Sequence, residues 1–351
     1  MTSDTKGAVK HSKFSFSSHA IAGGVSAVFS ATFTCPFEVA KTRQQSALYK
    51  NVITFSHNYP APIRFFIKPF KETGSVMKDV YIKDGPRGLF KGLGPNLIGI
   101  IPLRAIHFGV YGFSKQKLTH MNGGVEKPWI HMLSSFCAGF CSTTVTNPLW
   151  MVKTRIQLES KKYTASGEAL PLKYKNAFQT AKTIYKEEGL KAFSKGLAAS
   201  YVGLSETTIQ FTTYEYFKKL VRQNKEKKDQ NKTAKKHSPK VKKFIEWADD
   251  FVCAAGAKFI ASGITYPHEV LRTRMREVPV NGVSPYTGLV QAAKLIVKTE
   301  GVSALYRGLG THLIRVVPNA AILFSVYEIV LYGHKKYFSK GEEKDGDAGY
   351  K

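Results

Sequence analysis

Acidic side chains are scarce in this 351-residue chain: 25 Asp and Glu stand against 52 Lys and Arg, a formal charge of +27. Such an imbalance raises nucleic acid as a partner, because clustered bases neutralise phosphates. The distribution speaks against it. The densest basic run, Lys225 to Lys243, is nearly free of apolar residues and of aromatics on which bases could stack, so a flexible linker is expected there. Cysteine is rare too. Cys35, Cys137, Cys141 and Cys253 lie in apolar stretches; Cys137 and Cys141 are an i,i+4 pair with no further His or Cys nearby, which argues against a zinc site and predicts free, buried thiols. No Ser/His/Asp set and no Walker glycine loop stands out, so neither an enzyme nor a bound cofactor or metal is expected. Residues 1–18 lack the apolar core and small-residue cleavage site of a secretory signal, and they are not an arginine-rich transit peptide. Any address is therefore expected within the mature chain. Also missing is a clean apolar run of twenty residues, in keeping with a mean hydropathy of −0.20.

What the chain does have is repetition. The phrase TCPFEVAKTRQQ returns as TNPLWMVKTRIQ and TYPHEVLRTRMR, with the prolines Pro36, Pro148 and Pro267 spaced 112 and 119 residues apart. A second phrase keeps step with it: DGPRGLFKG, EGLKAFSKG and EGVSALYRG, starting at Asp84, Glu188 and Glu300. Two phrases sharing one period define three tandem copies, expected at 16–121, 128–224 and 245–337, with the Lys-rich linker at 225–243.

Each copy holds two long apolar-leaning segments, at 16–46 and 93–120, 129–158 and 197–222, and 247–276 and 309–336. All six are long enough for a tilted helix to cross a membrane. They carry Lys41, Arg43, Arg104, Lys153, Arg155, Glu206, Lys258, Glu269, Arg272 and Arg315. A lipid-facing charge at mid-depth costs about 2.5–3.5 kcal/mol, so these groups must face a wet interior and pair there, or the chain is soluble. Small residues favour the membrane: AIAGGVSAVFSA, SSFCAGFCSTT and CAAGAKFIASG allow the close backbone approach that drives helix packing in lipid. Shorter amphipathic helices, suited to a membrane surface, are expected near 75–84, 176–188 and 288–300, each stopping at the glycine of the second phrase.

Three two-helix repeats carrying Pro-x-[Asp/Glu]-x-x-[Lys/Arg]-x-[Lys/Arg] and then [Asp/Glu]-Gly-x-x-x-x-aromatic-[Lys/Arg]-Gly resemble the mitochondrial carrier family over nearly the whole chain. The resemblance implies an all-α membrane protein of the inner mitochondrial membrane: a threefold pseudosymmetric barrel of six transmembrane helices with short matrix-side helices. It implies a central substrate site between two gates, inner-membrane lipids such as cardiolipin as partners, and a functional monomer. Carried over residue by residue, the matrix gate pairs Glu38 with Lys153 and Glu269 with Lys41. Trp150 stands where the other copies have Glu38 and Glu269, opposite Arg272. A cation–π contact could make that third link; alternatively the indole only fills space. Gln45 and Gln157 take the places of the family's gate-bracing glutamines. The cytoplasmic gate reads Tyr111-Gly112-x-x-Lys115, Tyr214-Glu215-x-x-Lys218 and Tyr327-Glu328-x-x-Leu331. Cyclic pairing would join Lys115 with Glu215 and Lys218 with Glu328, leaving Gly112 opposite Leu331 and no charge stranded.

The family's substrate contacts fall midway along the even helices. Here those regions offer Asn96, Gly99, Ile100, Arg104 and His107, then Gly203, Glu206, Gln210 and Thr213, then His312, Arg315 and Asn319. Spacing of i, i+3 and i+4 puts each set on one polar face. The Asn and Gln could instead make interhelical hydrogen bonds. Arg104 and Arg315 with Lys258 make a positive midplane site suited to phosphate oxygens. Gly99 and Gly203 are expected to leave room for a flat ring, and Glu206, Gln210 and Asn319 to meet a base edge. The tryptophan resembles the family's nucleotide-carrying branch. GLGPNLIGIIPLRAIHF, NPLWMVKTRIQLE, ASYVGLSE and ITYPHEVLRTR most resemble its pyrimidine-nucleotide carriers, implying antiport of pyrimidine nucleoside mono-, di- and triphosphates. A carrier of NAD or another nucleotide cofactor is the alternative within the family; a basic nucleic-acid-binding helical-repeat protein is the alternative outside it.

Overall fold

A computed structural model describes residues 4–47, 61–160, 172–230, 239–279 and 284–347. Among these the chain is helical without strands. The first repeat contains α1 (Asp4–Gln45), α2 (Ala61–Asp84) and α3 (Leu93–Met121). The second contains α4 (Pro128–Leu158), α5 (Ala177–Glu188) and α6 (Leu197–Gln230). The third contains α7 (Pro239–Thr265), α8 (Pro267–Met275), α9 (Leu289–Glu300) and α10 (Leu309–Asp347). The two glycines of the second phrase explain its fixed spacing. Gly85, Gly189 and Gly301 stop α2, α5 and α9 at φ of 76°, 72° and 80°. Gly92, Gly196 and Gly308 then turn the chain into the next long helix at φ of 79°, 76° and 82°. Side chains with a Cβ are strained in that region.

The long helices pack in a closed cycle, α1–α3–α4–α6–α7–α10 and back to α1, most extensively between repeats: α3 on α4, α6 on α7, and α10 on α1. The apolar core is split into three equivalent clusters at one end. Val76 and Val80 of α2 pack on Cys35, Val39 and Ala40, Ile184 of α5 on Met151, Val152 and Ile156, and Ala292 and Ile296 of α9 on Leu271 and Met275. Every amphipathic helix thus buries its stripe against the segment just after a signature proline.

Several boundaries differ from the sequence reading. The segment 247–276 is two helices, α7 and α8, with Tyr266 in a turn between them immediately before Pro267. Pro36 and Pro148 sit inside unbroken helices. Helices α6 and α7 run into the expected linker from both sides, reaching Gln230 and starting at Pro239, since Lys, Glu and Gln are good helix formers; residues 231–238 of that linker lie outside the described residues. Helix α2 begins at Ala61, well before the expected 75, and α1 and α10 also overrun their expected bounds. The four cysteines are free, Cys35 and Cys253 buried but Cys137 and Cys141 only half-buried.

Polarity is inverted relative to a soluble bundle. Phe33, Ile101, Phe136, Phe211, Phe259 and Phe324, one on each long helix, are exposed, whereas Lys41, Arg43, Lys153, Arg155 and Arg274 are buried. Among the described residues two segments, Pro86–Met121 and Val302–Gly333, are long and apolar enough to cross a membrane, with mean hydropathies of 1.4 and 1.6. The other expected spans are diluted below that mark by inward-facing polar side chains such as Ser30, Thr34, Ser142, Thr146 and Ser262.

Candidate functional site

The ends of α1, α4 and α8 that follow the signature prolines converge and close one end of a central cavity of about 420 Å³. Beneath it the second basic residue of each signature forms a threefold interlock. Arg43, Arg155 and Arg274, all fully buried, pair with Asp84 at 2.5 Å, Glu188 at 2.8 Å and Glu300 at 3.0 Å. Their Nε atoms donate across to the next repeat, to the carbonyls of Gln157 (3.2 Å), Arg276 (2.5 Å) and Gln45 (2.6 Å). This explains why the two phrases travel together: the acid before the glycine is the counter-charge of the buried arginine, and an unpaired guanidinium there would cost several kcal/mol. Sequence alone places these acids in the second phrase but gives them no partner.

Directly above lies the ring of first basic residues. Lys153 bridges to Glu38 at 2.5 Å and to Asn96 at 2.7 Å, and Lys41 pairs with Glu269. The Trp150–Arg272 link does not form. The cation over the indole is Lys153, 4.8 Å from the ring centroid, and the indole N–H donates to Thr146 at 3.0 Å. Arg272 instead turns to Glu269, one helical turn before it, at 2.6 Å. A carboxylate is the stronger partner for a guanidinium than an aromatic face, so Glu269 serves two cations. Gln45 accepts from Thr273 at 2.7 Å and donates to the Tyr266 hydroxyl at 2.9 Å, and Gln157 accepts from Thr42 at 2.9 Å. The third such position is Arg276, overlooked in the sequence although aligning the three copies sets it level with Gln45 and Gln157.

Of the midplane residues, Arg315 approaches Glu38 at 3.9 Å and His312 Nδ1 lies 3.1 Å from Lys41, so both belong to the rim of this ring. Lys258 and Glu206 pair with each other at 2.7 Å, and Ser262 adds a hydrogen bond to Glu206 at 2.9 Å. Asn319 accepts from Ser30 at 2.8 Å, an interhelical bond that occupies the group expected to meet a base. Asn96 is likewise engaged by Lys153. The two glycines do not leave open space. A Cβ at Gly99 would rest 3.6 Å from the Trp150 ring, and one at Gly203 would sit 2.5 Å from His268 Nε2. Each accommodates a side chain of the neighbouring helix. Ile100, His107 and Gln210 are half-buried and Arg104 is exposed. Among the described residues no carboxylate lies within ion-pair distance of Arg104.

At the opposite end the expected pairs are not formed. Lys115 bridges to Glu126 at 2.9 Å, in the connection between α3 and α4. Lys218 lies 3.8 Å from Asp250 of α7 and donates to Tyr214 at 3.4 Å, while Glu215 and Glu328 are exposed. Tyr111 contacts His131 at 2.8 Å, and Tyr327 is half-buried. Both lysines are instead engaged by acids outside the cyclic scheme, Glu126 and Asp250.

The sequence profile described as Mitochondrial carrier protein matches residues 12–122, 124–225 and 243–337. The Mitochondrial pyrimidine nucleotide transporter RIM2 of Saccharomyces cerevisiae is 41% identical over 327 residues, covering 89% of this chain and 85% of its own. The Mitochondrial carrier protein rim2 of Schizosaccharomyces pombe is 41% identical over 318 residues, covering 90% and 89%. Solute carrier family 25 member 33 of Homo sapiens is 38% identical over 323 residues, covering 90% and 94%. Three profile matches in step with three structural repeats, and relatives aligned over about nine-tenths of the chain, place it in the mitochondrial carrier family.

Proposed function

We propose that the protein is an antiporter of pyrimidine nucleoside phosphates in the inner mitochondrial membrane, working by alternating access in a barrel of six transmembrane helices. The observation that carries the substrate class is the charge balance of the cavity. Trp150 removes one carboxylate from the ring, Glu269 serves both Lys41 and Arg272, and Arg276 adds a further cation. The floor is left with surplus positive charge inside a low-dielectric wall, which favours a multivalent anion. The name of the yeast relative supports pyrimidine nucleotides as that anion. The apolar belt on all six long helices supports a lipid-facing exterior. The ring closes the matrix side and, among the described residues, neither Glu215 nor Glu328 makes an ion pair across the other end, so the conformation reads as ready to load from the cytoplasmic side.

Loading couples to opening through Arg315. Glu38 lies between Lys153 and Arg315. A phosphate drawn to Arg315 competes with Glu38 for the guanidinium and weakens the carboxylate's hold on the ring. Without an anion the arginine stays on Glu38 and the ring stays shut, which makes exchange obligatory. The test is uptake of labelled pyrimidine nucleotide into liposomes holding purified protein and one internal nucleotide each. Internal UTP or TTP should drive uptake; uptake driven by NAD or ATP alone would overturn the assignment.

A further inference from the structure

Arg276 is the one lining cation of the cavity that the gate does not account for. It is 5% exposed, yet among the described residues no carboxylate lies within ion-pair distance of it. Its Nη2 donates to two neutral acceptors, Asn147 at 2.5 Å and Ser200 at 3.3 Å, and its Nε is buried without a hydrogen-bond partner. Compensation around it is only partial: it caps the C-terminal end of α8, and the nearest carboxylate on that helix, Glu269, is already shared by Lys41 and Arg272. Arg272, one turn earlier, is another cation, and Gly196 at the start of α6 turns the positive end of that helix toward it. A buried guanidinium so placed is costly unless an anion visits it. The other two copies have uncharged Gln45 and Gln157 at this position, so bracing the ring does not require a charge.

We propose that Arg276 and Arg272 form a phosphate-binding pair at the floor of the cavity, taking the terminal phosphates of the nucleotide as the ring opens toward the matrix. This rests on the nucleotide-antiport reading and extends it by a second anion position, below the ring, reached after Arg315 has engaged. Two planar donor forks one helical turn apart suit a di- or triphosphate better than a single phosphate. The pair would therefore set preference by phosphate number and be indifferent to the base.

The test compares exchange of UTP, UDP and UMP in liposomes for wild type and Arg276→Gln, a variant that installs the residue used by the other two repeats. Loss of one charge-assisted fork is expected to raise the apparent KM for UTP about tenfold and that for UMP about threefold or less. An equal change for all three nucleotides, or none, would assign Arg276 to bracing alone and overturn the proposal. Ser200→Asp guards against a folding defect, because it supplies a carboxylate beside Arg276 in the first turn of α6, where an acid is favourable. It should likewise weaken UTP more than UMP, and an unchanged ratio counts against the pair. The comparison reads phosphate number, so it is run on whichever base the wild type accepts; failure of the pyrimidine assignment and failure of this site give different results.

Discussion

Single residues in the cavity act through what they compete for. Arg315 lies 3.9 Å from Glu38 while Lys153 holds the same carboxylate at 2.5 Å, so truncating Arg315 leaves the ring intact and removes its release. Arg315→Ala should therefore insert and fold normally but lose exchange, and normal exchange in that variant would remove Arg315 from the mechanism. The glycines separate in the same way. Gly99→Ala places its methyl at ordinary contact, 3.6 Å, from Trp150, whereas Gly203→Ala meets the buried His268 at 2.5 Å, where neither helix can yield cheaply. The first should be near neutral and the second destabilising by about 1–3 kcal/mol, read by thermal unfolding of the purified protein in detergent. Comparable melting temperatures would show that His268 has room to move.

At the scale of helices, the sequence reading located elements by their punctuation and missed what propensity alone extends. The glycine phrases mark the repeat geometry because their positive φ is a backbone that only glycine adopts readily, whereas of the signature prolines only Pro267 stands at a helix boundary. The overruns of α6 and α7 into a Lys- and Glu-rich stretch carry no such mark. At the signature end the repeated spacing brings Trp150, Glu269 and Arg272 to one cavity but does not tell which pair wins, and the carboxylate on the arginine's own helix takes it. The same competition operates at the far end, where Lys115 is held by Glu126 at 2.9 Å and not by Glu215. Lys115 is half-buried and Glu126 exposed, and solvent screens a pair so placed. Glu126→Gln should thus shift the balance toward the closed cytoplasmic end only a few-fold. Spin labels on the cytoplasmic ends of α3 and α6 would report that shift as a larger short-distance population. A distance distribution identical to wild type would show that Glu126 does not compete for Lys115.

Over the whole molecule, the seam between the third repeat and the first closes the ring, and it is the only junction the chain itself does not connect. Arg274, Thr273 and Tyr266 all reach Gln45 across it, and α10 lies along α1. Just past α8, Glu277 accepts a hydrogen bond from the Ala47 backbone at 2.8 Å, pinning the end of the first signature to the third repeat. Burial pushes the Glu277 carboxyl up to about 7, against the opposing pull of Arg274. The folded state therefore holds this proton more tightly than the unfolded chain does. Its stabilising contribution is complete below the ordinary carboxylate value of 4.5 and is lost as pH rises through about 7. Carrying the charge at higher pH costs up to about 3 kcal/mol by this linkage, concentrated at the seam. Melting temperature in detergent should accordingly fall between about pH 4.5 and 7, and Glu277→Gln, which is uncharged throughout, should flatten that part of the profile. A variant with the wild-type slope would locate the pH dependence elsewhere and leave the seam held by the buried arginines alone.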